Sequence, residues 1–233
     1  MTKVRTAWYL IAMAVLYVAP SFAEQASMTL TGPGKNGTLG GVYIGPYVAT
    51  VNNIQNVQVI CDDFVHDTYL NESWTANVSS FPIPKTVQYE QAAWLTLQLL
   101  SPPTNCGGTN CAGDIQYALW QLFDPTAPKG QLTPFDYLQS KGLTADLNSA
   151  QTFLTNSGLS VNYADPTIDY SRFSLYTPDL SSPITCAGGT CPSAPPQNFI
   201  LVRTPEPSGL AILGVDLSAL GVLVFLLRRQ LTI

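Results

Sequence analysis

The chain has 233 residues, 46% of them apolar, with 15 acidic side chains against 10 Lys and Arg and a formal net charge of −5. Between Glu24 and Thr204 the balance is 13 acids to 6 Lys and Arg, with no basic run. Phosphate backbones are gripped by clusters of Lys and Arg, so nucleic acid is excluded as a partner.

At the N-terminus, Lys3 and Arg5 precede an apolar stretch from Ala7 to Val18, followed by Pro20 and Ser21-Phe22-Ala23. A basic start, a short apolar core and small residues at the cleavage positions predict a signal peptide over 1–23, cut by signal peptidase after Ala23. Residues 24–203 then form an extracytoplasmic domain, large enough for a well-buried core.

The first part of that domain reads as strands. Ser27 to Thr31 alternates, and Gly32-Pro33-Gly34 and Asn36-Gly37 mark turns. Val42 to Val51 is rich in β-formers with a bend at Gly45-Pro46; Asn52-Asn53 turns the chain into Val57 to Ile60, which arrives at Cys61. The period then changes. Gln88 to Leu100 has helical spacing, stopped by Ser101-Pro102-Pro103. A second helix is expected from Asp114 to Phe123, with Ile115, Leu119, Leu122 and Phe123 on one face. Two more begin at Thr133-Pro134 and Thr144, the second ending at Asn156-Ser157-Gly158. Gly142 and Gly158 suit the left-handed residue after a helix. Strand character returns at Ile168 to Tyr176 and Gln197 to Arg203. The expected fold class is α+β: a sheet-based sandwich or barrel with a helical insertion at about 87–158, plus a C-terminal single transmembrane helix.

That last helix is expected at 209–227, 19 apolar residues interrupted by Asp216. At helical rise it spans about 28 Å, close to a bilayer's hydrocarbon thickness. Thr204-Pro205-Glu206-Pro207-Ser208 precedes it and Arg228-Arg229 follows, so the basic flank puts this end in the cytoplasm. The order Pro205-Glu206-Pro207, apolar run, Arg228-Arg229 resembles the PEP-CTERM sorting signal of Gram-negative bacteria. The resemblance implies recognition by an exosortase, removal of the tail over 204–233 near Pro-Glu-Pro, and delivery to the cell surface or biofilm matrix.

In an oxidising compartment, five cysteines leave one over. Cys106 and Cys111, and Cys186 and Cys191, share a Cys-x4-Cys spacing with glycines inside, and two disulfides are expected. A zinc site from these four is disfavoured by the wide spacing. Cys61 remains, either as a buried inert thiol or as a reactive one.

Val59-Ile60-Cys61-Asp62-Asp63 and Ile115-Gln116-Tyr117-Ala118-Leu119-Trp120 resemble the two halves of the bacterial surface thioester domain. The resemblance implies that the Cys61 thiol displaces ammonia from Gln116, leaving an internal thioester that a surface amine or hydroxyl attacks. Trp120 and Trp94 are expected to shield such a bond from water. Weaker patterns surround the motif. His66, the single histidine, lies beside Asp62, Asp63 and Asp67, but no Gly-x-Ser-x-Gly turn accompanies it. The three aspartates match no EF-hand spacing, so neither a metal nor a cofactor is assigned.

Three functions stand at this level: a structural or adhesive surface or matrix protein, a covalent adhesin using Cys61 and Gln116, and a secreted polysaccharide-active enzyme using Asp62 or Asp63. The expected partners are signal peptidase and exosortase, the membrane through the C-terminal helix, and exopolysaccharide or surface amines.

Overall fold

The computed structural model describes residues 24–81, 87–162, 167–186 and 195–203. Nine strands run in chain order: β1 (Glu24–Gly32), β2 (Thr38–Leu39), β3 (Val42–Tyr43), β4 (Tyr47–Val51), β5 (Ile54–Cys61), β6 (Glu72–Ser80), β7 (Phe173–Pro178), β8 (Thr185–Cys186) and β9 (Phe199–Val202). Among the described residues four α-helices lie between β6 and β7: α1 (Val87–Leu100), α2 (Cys111–Phe123), α3 (Pro134–Ser140) and α4 (Thr144–Asn162).

Six strands close into a barrel in the order β1-β4-β5-β9-β7-β6, with β6 returning to pair with β1. Every pairing is antiparallel. Strand alternation explains the interior. Ala26, Met28 and Leu30 of β1, Tyr47, Ala49 and Val51 of β4, and Trp74 and Ala76 of β6 are buried at every second position. Their intervening neighbours are more exposed, and closing the ring removes the sheet edges that would otherwise be left unpaired. Asn52 and Asn53 both have positive φ, 49° and 67°, which gives the tight turn between β4 and β5 expected from their sequence. Strand β9 enters late in the chain and completes the ring, pairing Phe199 with Cys61 and Ile200 with Ile60.

The helices are built as their sequences imply, with two differences. Thr133 caps α3 through its hydroxyl, which accepts from Asp136 N, with Pro134 in the first turn. Gly142 follows with φ of +72°, as expected after a helix. Helix α2, however, starts at Cys111, three residues before Asp114, because the Asn110 side chain accepts from Gly113 N at 3.1 Å and caps it there. Helix α4 also runs through Gly158 to Asn162. A Cβ at Gly158 would sit 3.0 Å from Gln91 Nε2 on α1, and Gln91 Nε2 donates to Ser157 Oγ at 3.3 Å. There the glycine serves a close helix–helix approach, not a helix end.

The expected architecture is corrected in two respects. The sheet is a closed barrel, so the sandwich alternative is set aside; the late strand β9 bridges β5 and β7. The transmembrane helix expected at 209–227 falls outside the described residues, and among those described no helix is long and apolar enough to cross a membrane. The longest described helix, α4, has 19 residues but carries Thr, Asp, Asn, Ser and Gln throughout. The signal peptide over 1–23 and the tail from residue 204 also lie outside the described residues.

Cys106 and Cys111 are joined, with Cα atoms 5.6 Å apart, and the bridge closes the loop that leads into α2. Changing both to Ser is expected to cost about 2 kcal/mol, the chain-entropy value for so short a loop. Urea unfolding of the double variant against the wild type measures it.

Candidate functional site

Strand alternation places Cys61 on the same face as Val59 and Val57, opposite Tyr47 and Ala49 of β4. Its side chain therefore sits inside one end of the barrel, and it is 0% exposed. Helix α2 lies against that end. It is buried on all sides from Ala112 to Trp120, as expected for a helix packed among α1, α3, α4 and the barrel.

The two halves of the predicted pair meet here. Gln116 Nε2 donates to the Cys61 carbonyl oxygen at 2.7 Å, across 55 residues of sequence. Both residues are 0% exposed. The Gln116 Oε1 atom is buried and has no hydrogen-bond partner. Of the described cysteines, Cys61 is the free one. Its thiol donates to Asp63 O at 2.9 Å, and Asp63 N donates back to the sulfur at 3.3 Å. Gln197 Nε2 donates to the same Asp63 carbonyl at 2.8 Å, which fixes the turn after β5. Burial pushes the thiol pKa well up, and the neighbouring Asp62 and Asp63 push it further. At neutral pH the free side chain is thus a neutral thiol.

Gly45 completes the enclosure, and no sequence motif pointed to it. A Cβ there would stand 2.7 Å from Gln116 Oε1. Asn36 Nδ2 donates to Gly45 O at 2.5 Å, and Asn110 Nδ2 donates to Asn36 O at 3.2 Å. The α2 cap is thereby tied to the loop that confines the Gln116 carboxamide. Around the pair, Phe64 packs against Trp120 (5.2 Å between centroids), Tyr117 (5.8 Å) and Tyr137 (5.7 Å). A cavity of about 630 Å³ lies against this group, bordered by Tyr47, Phe64, Trp120, Tyr137 and Gln197. Trp120 is 1% exposed on α2, one turn after Gln116, whereas Trp94 is half-buried on α1 against the general core.

The acids near Cys61 sit in different surroundings. Asp62 is 3% exposed with Oδ1 unpartnered, and burial, reinforced by Asp63, raises its pKa to about 7. Asp63 is a turn residue: its carboxylate accepts from Val65 N, His66 N and His66 Nδ1. Asp67 is exposed. Among the described residues no group of three or more His, Cys, Asp or Glu is placed to hold a metal ion. Of the second predicted disulfide, Cys186 is disulfide-bonded, while Cys191 lies outside the described residues.

A second carboxyl pair went unforeseen. Asp114 is 0% exposed on α2, and burial raises its pKa to about 7. Asp146 on α4 is lowered despite its own burial, because it accepts from Thr109 N and Thr109 Oγ1, each at 2.7 Å. The opposite shifts follow from burial at Asp114 and from the Thr109 hydrogen bonds at Asp146. The available signal was an acid inside the apolar run of α2, two positions before Gln116.

No protein-family model, curated protein or solved structure matches the chain.

Two predictions follow from this geometry. Asp62 and Asp114 rise from 3.8 to about 7 on folding, so the folded protein binds protons that the unfolded chain has released between those values. Their contribution to stability is fully present below pH 3.8, falls as pH rises to about 7, and is flat above. Asp146 acts oppositely, losing stability only as pH falls below its usual 3.8. Thermal unfolding is expected to show a higher midpoint at pH 5 than at pH 8, and Asp114→Asn, which removes one of the two titrating buried acids, is expected to narrow that gap. Gly45→Ala is expected to destabilise by about 1–3 kcal/mol through overpacking against Gln116, measured by urea unfolding.

Proposed function

We propose that this is an exported surface or matrix protein that attaches itself covalently through an internal thioester between Cys61 and Gln116. The observation that carries the reading is the 2.7 Å hydrogen bond from Gln116 Nε2 to Cys61 O, which brings two fully buried residues together from motifs 55 residues apart. The free state of Cys61, beside a bridged Cys106–Cys111, supports it. Export and sorting are read from the sequence ending at Ala23 and from Pro205-Glu206-Pro207 with Arg228-Arg229.

The chemistry balances with the two side chains alone. The Cys61 sulfur attacks Gln116 Cδ, the C–N bond breaks, and the amide nitrogen leaves as ammonia with the thiol proton. A primary amine on a surface then attacks the same carbon. The C–S bond breaks, an amide joins the Gln116 side chain to the target, and the sulfur regains a proton from the amine. Burial under Trp120 and Phe64 keeps water from the electrophile, and the adjoining cavity gives the nucleophile room. The 2.7 Å contact would equally satisfy a buried glutamine in a noncovalent adhesin, so the test must detect the bond.

Intact mass of the protein from its own cells is expected to be lower by one ammonia than the disulfide-bonded sequence requires. Methylamine is expected to add to the wild type and not to Cys61→Ala. A full-mass protein whose Cys61 alkylates only after unfolding would leave the noncovalent reading.

A further inference from the structure

Between Glu24 and Thr204 the sequence carries two arginines, Arg172 and Arg203, 31 residues apart. Tertiary structure sets them side by side. The β7–β9 register, with Phe173 against Val202, puts Arg172 opposite Arg203, and Arg203 N donates to Arg172 O at 2.7 Å. Like charges directly opposite on neighbouring strands are destabilising. The surroundings do little to offset the repulsion. Glu24 Oε2 lies 3.7 Å from Arg203 Nη2, a long contact to a carboxylate that is 64% exposed. Arg172 forms no ion pair among the described residues. Its Nε donates to Arg203 O at 3.0 Å, which fixes the direction of the guanidinium and engages one of its five N–H donors.

Both arginines line one cavity of about 730 Å³. It lies at the end of the barrel away from Cys61: β9 pairs Phe199 with Cys61, and Arg203 follows the other end of that strand, about 13 Å along it. Asn56 and Gln58, exposed on one face of β5, line the same cavity. A carboxamide both donates and accepts, as a hydroxyl does. The cavity thus sets two adjacent guanidinium forks beside neutral groups suited to hydroxyls. Such a fork grips a carboxylate with two parallel hydrogen bonds.

We propose that this end of the barrel is a binding site for an acidic polysaccharide, with Arg172 and Arg203 holding a uronate carboxylate and Asn56 and Gln58 meeting the hydroxyls of the same sugar or the next. A carboxylate between the two guanidinium groups removes the repulsion that the register imposes, so the ligand supplies the charge the fold lacks there. The domain as a whole is acidic, 13 acids to 6 Lys and Arg, and repels such a polymer elsewhere, which confines contact to this patch. Acidic peptides and polyphosphates bring charge without hydroxyls, and a neutral glycan brings hydroxyls without charge; none of them uses both halves of the cavity. The site is separate from Cys61 and Gln116 and does not depend on the thioester.

Biolayer interferometry of the protein from its own cells, on immobilised polygalacturonate, dextran, polyglutamate and polyphosphate, tests the assignment. Polygalacturonate is expected to bind about tenfold more tightly than the other three, and to release as salt is raised. Arg172→Gln and Arg203→Gln are each expected to weaken that binding about tenfold. Arg172→Lys, which keeps the charge and loses the fork, is expected to recover part of it. Glu24→Gln, which removes the competing carboxylate, is expected to tighten it about twofold. Lys141→Gln, a cation lost from over the Tyr137 ring of α3, is expected to bind as wild type. Thermal unfolding checks that each variant is folded; if Arg172→Gln is not, the exposed Arg203→Gln decides. Arginine variants that bind as wild type, or a wild type that binds no polygalacturonate, overturn the site. Polyglutamate or polyphosphate binding as tightly as polygalacturonate overturns the saccharide assignment. Binding that disappears in Cys61→Ala overturns it as well, because capture then belongs to the thioester.

Discussion

The hydrogen bond from Gln116 Nε2 to the Cys61 carbonyl is the contact on which the site depends. It is made where the barrel ends and the helical layer begins, between fully buried partners. In such surroundings a polar contact is strong when made and expensive when lost, so its geometry is tightly held. Everything around it limits how the two residues can move. The turn after β5 is fixed by Gln197 and by the Asp63 carboxylate. The start of α2 is fixed by the Asn110 cap and the Cys106–Cys111 bridge. Gly45 closes the remaining side of the carboxamide.

The electrostatics of this region are those of a site kept dry. Asp62 and Asp114 carry protons up to about neutral pH because burial disfavours their charged forms. The Cys61 thiol is restrained in the same way. Such an enclosure protects an acyl–sulfur bond from water and slows its formation for the same reason. The aromatic cluster of Phe64, Trp120, Tyr117 and Tyr137 separates the pair from the adjoining cavity, so access and protection are decided by the same rings.

The parts of the site visible in sequence were those with local chemistry. Cys61 stood out as the odd cysteine, whereas Gln116 was singled out only by the resemblance of its motif to the thioester domain. The Cys106–Cys111 bridge was legible because a short glycine-containing loop leaves few other geometries. Gly45 was read only as a bend, since its approach to Gln116 is made by a distant segment. Asp114 and Asp146 were placed on separate helices and not paired, because α2–α4 packing is not encoded in either stretch. Trp94 was expected at the bond, and helical packing carried it elsewhere.

The sequence by itself determined the types and order of the elements: strands, then four helices, then strands. It also determined the Asn52-Asn53 turn, the cap at Thr133 and the glycine after α3, because these depend on neighbours along the chain. Tertiary structure decided that the sheet closes as a barrel, since strand β9 completes the ring by pairing with β5 and β7 from far away in sequence. It also decided that α4 continues through Gly158, where contact with Gln91 outweighs the local preference for ending the helix. The meeting of Cys61 with Gln116 belongs to this second class. A strand and a helix each present one residue by their own periodicity, but only the packing of α2 on the barrel mouth sets the distance between them.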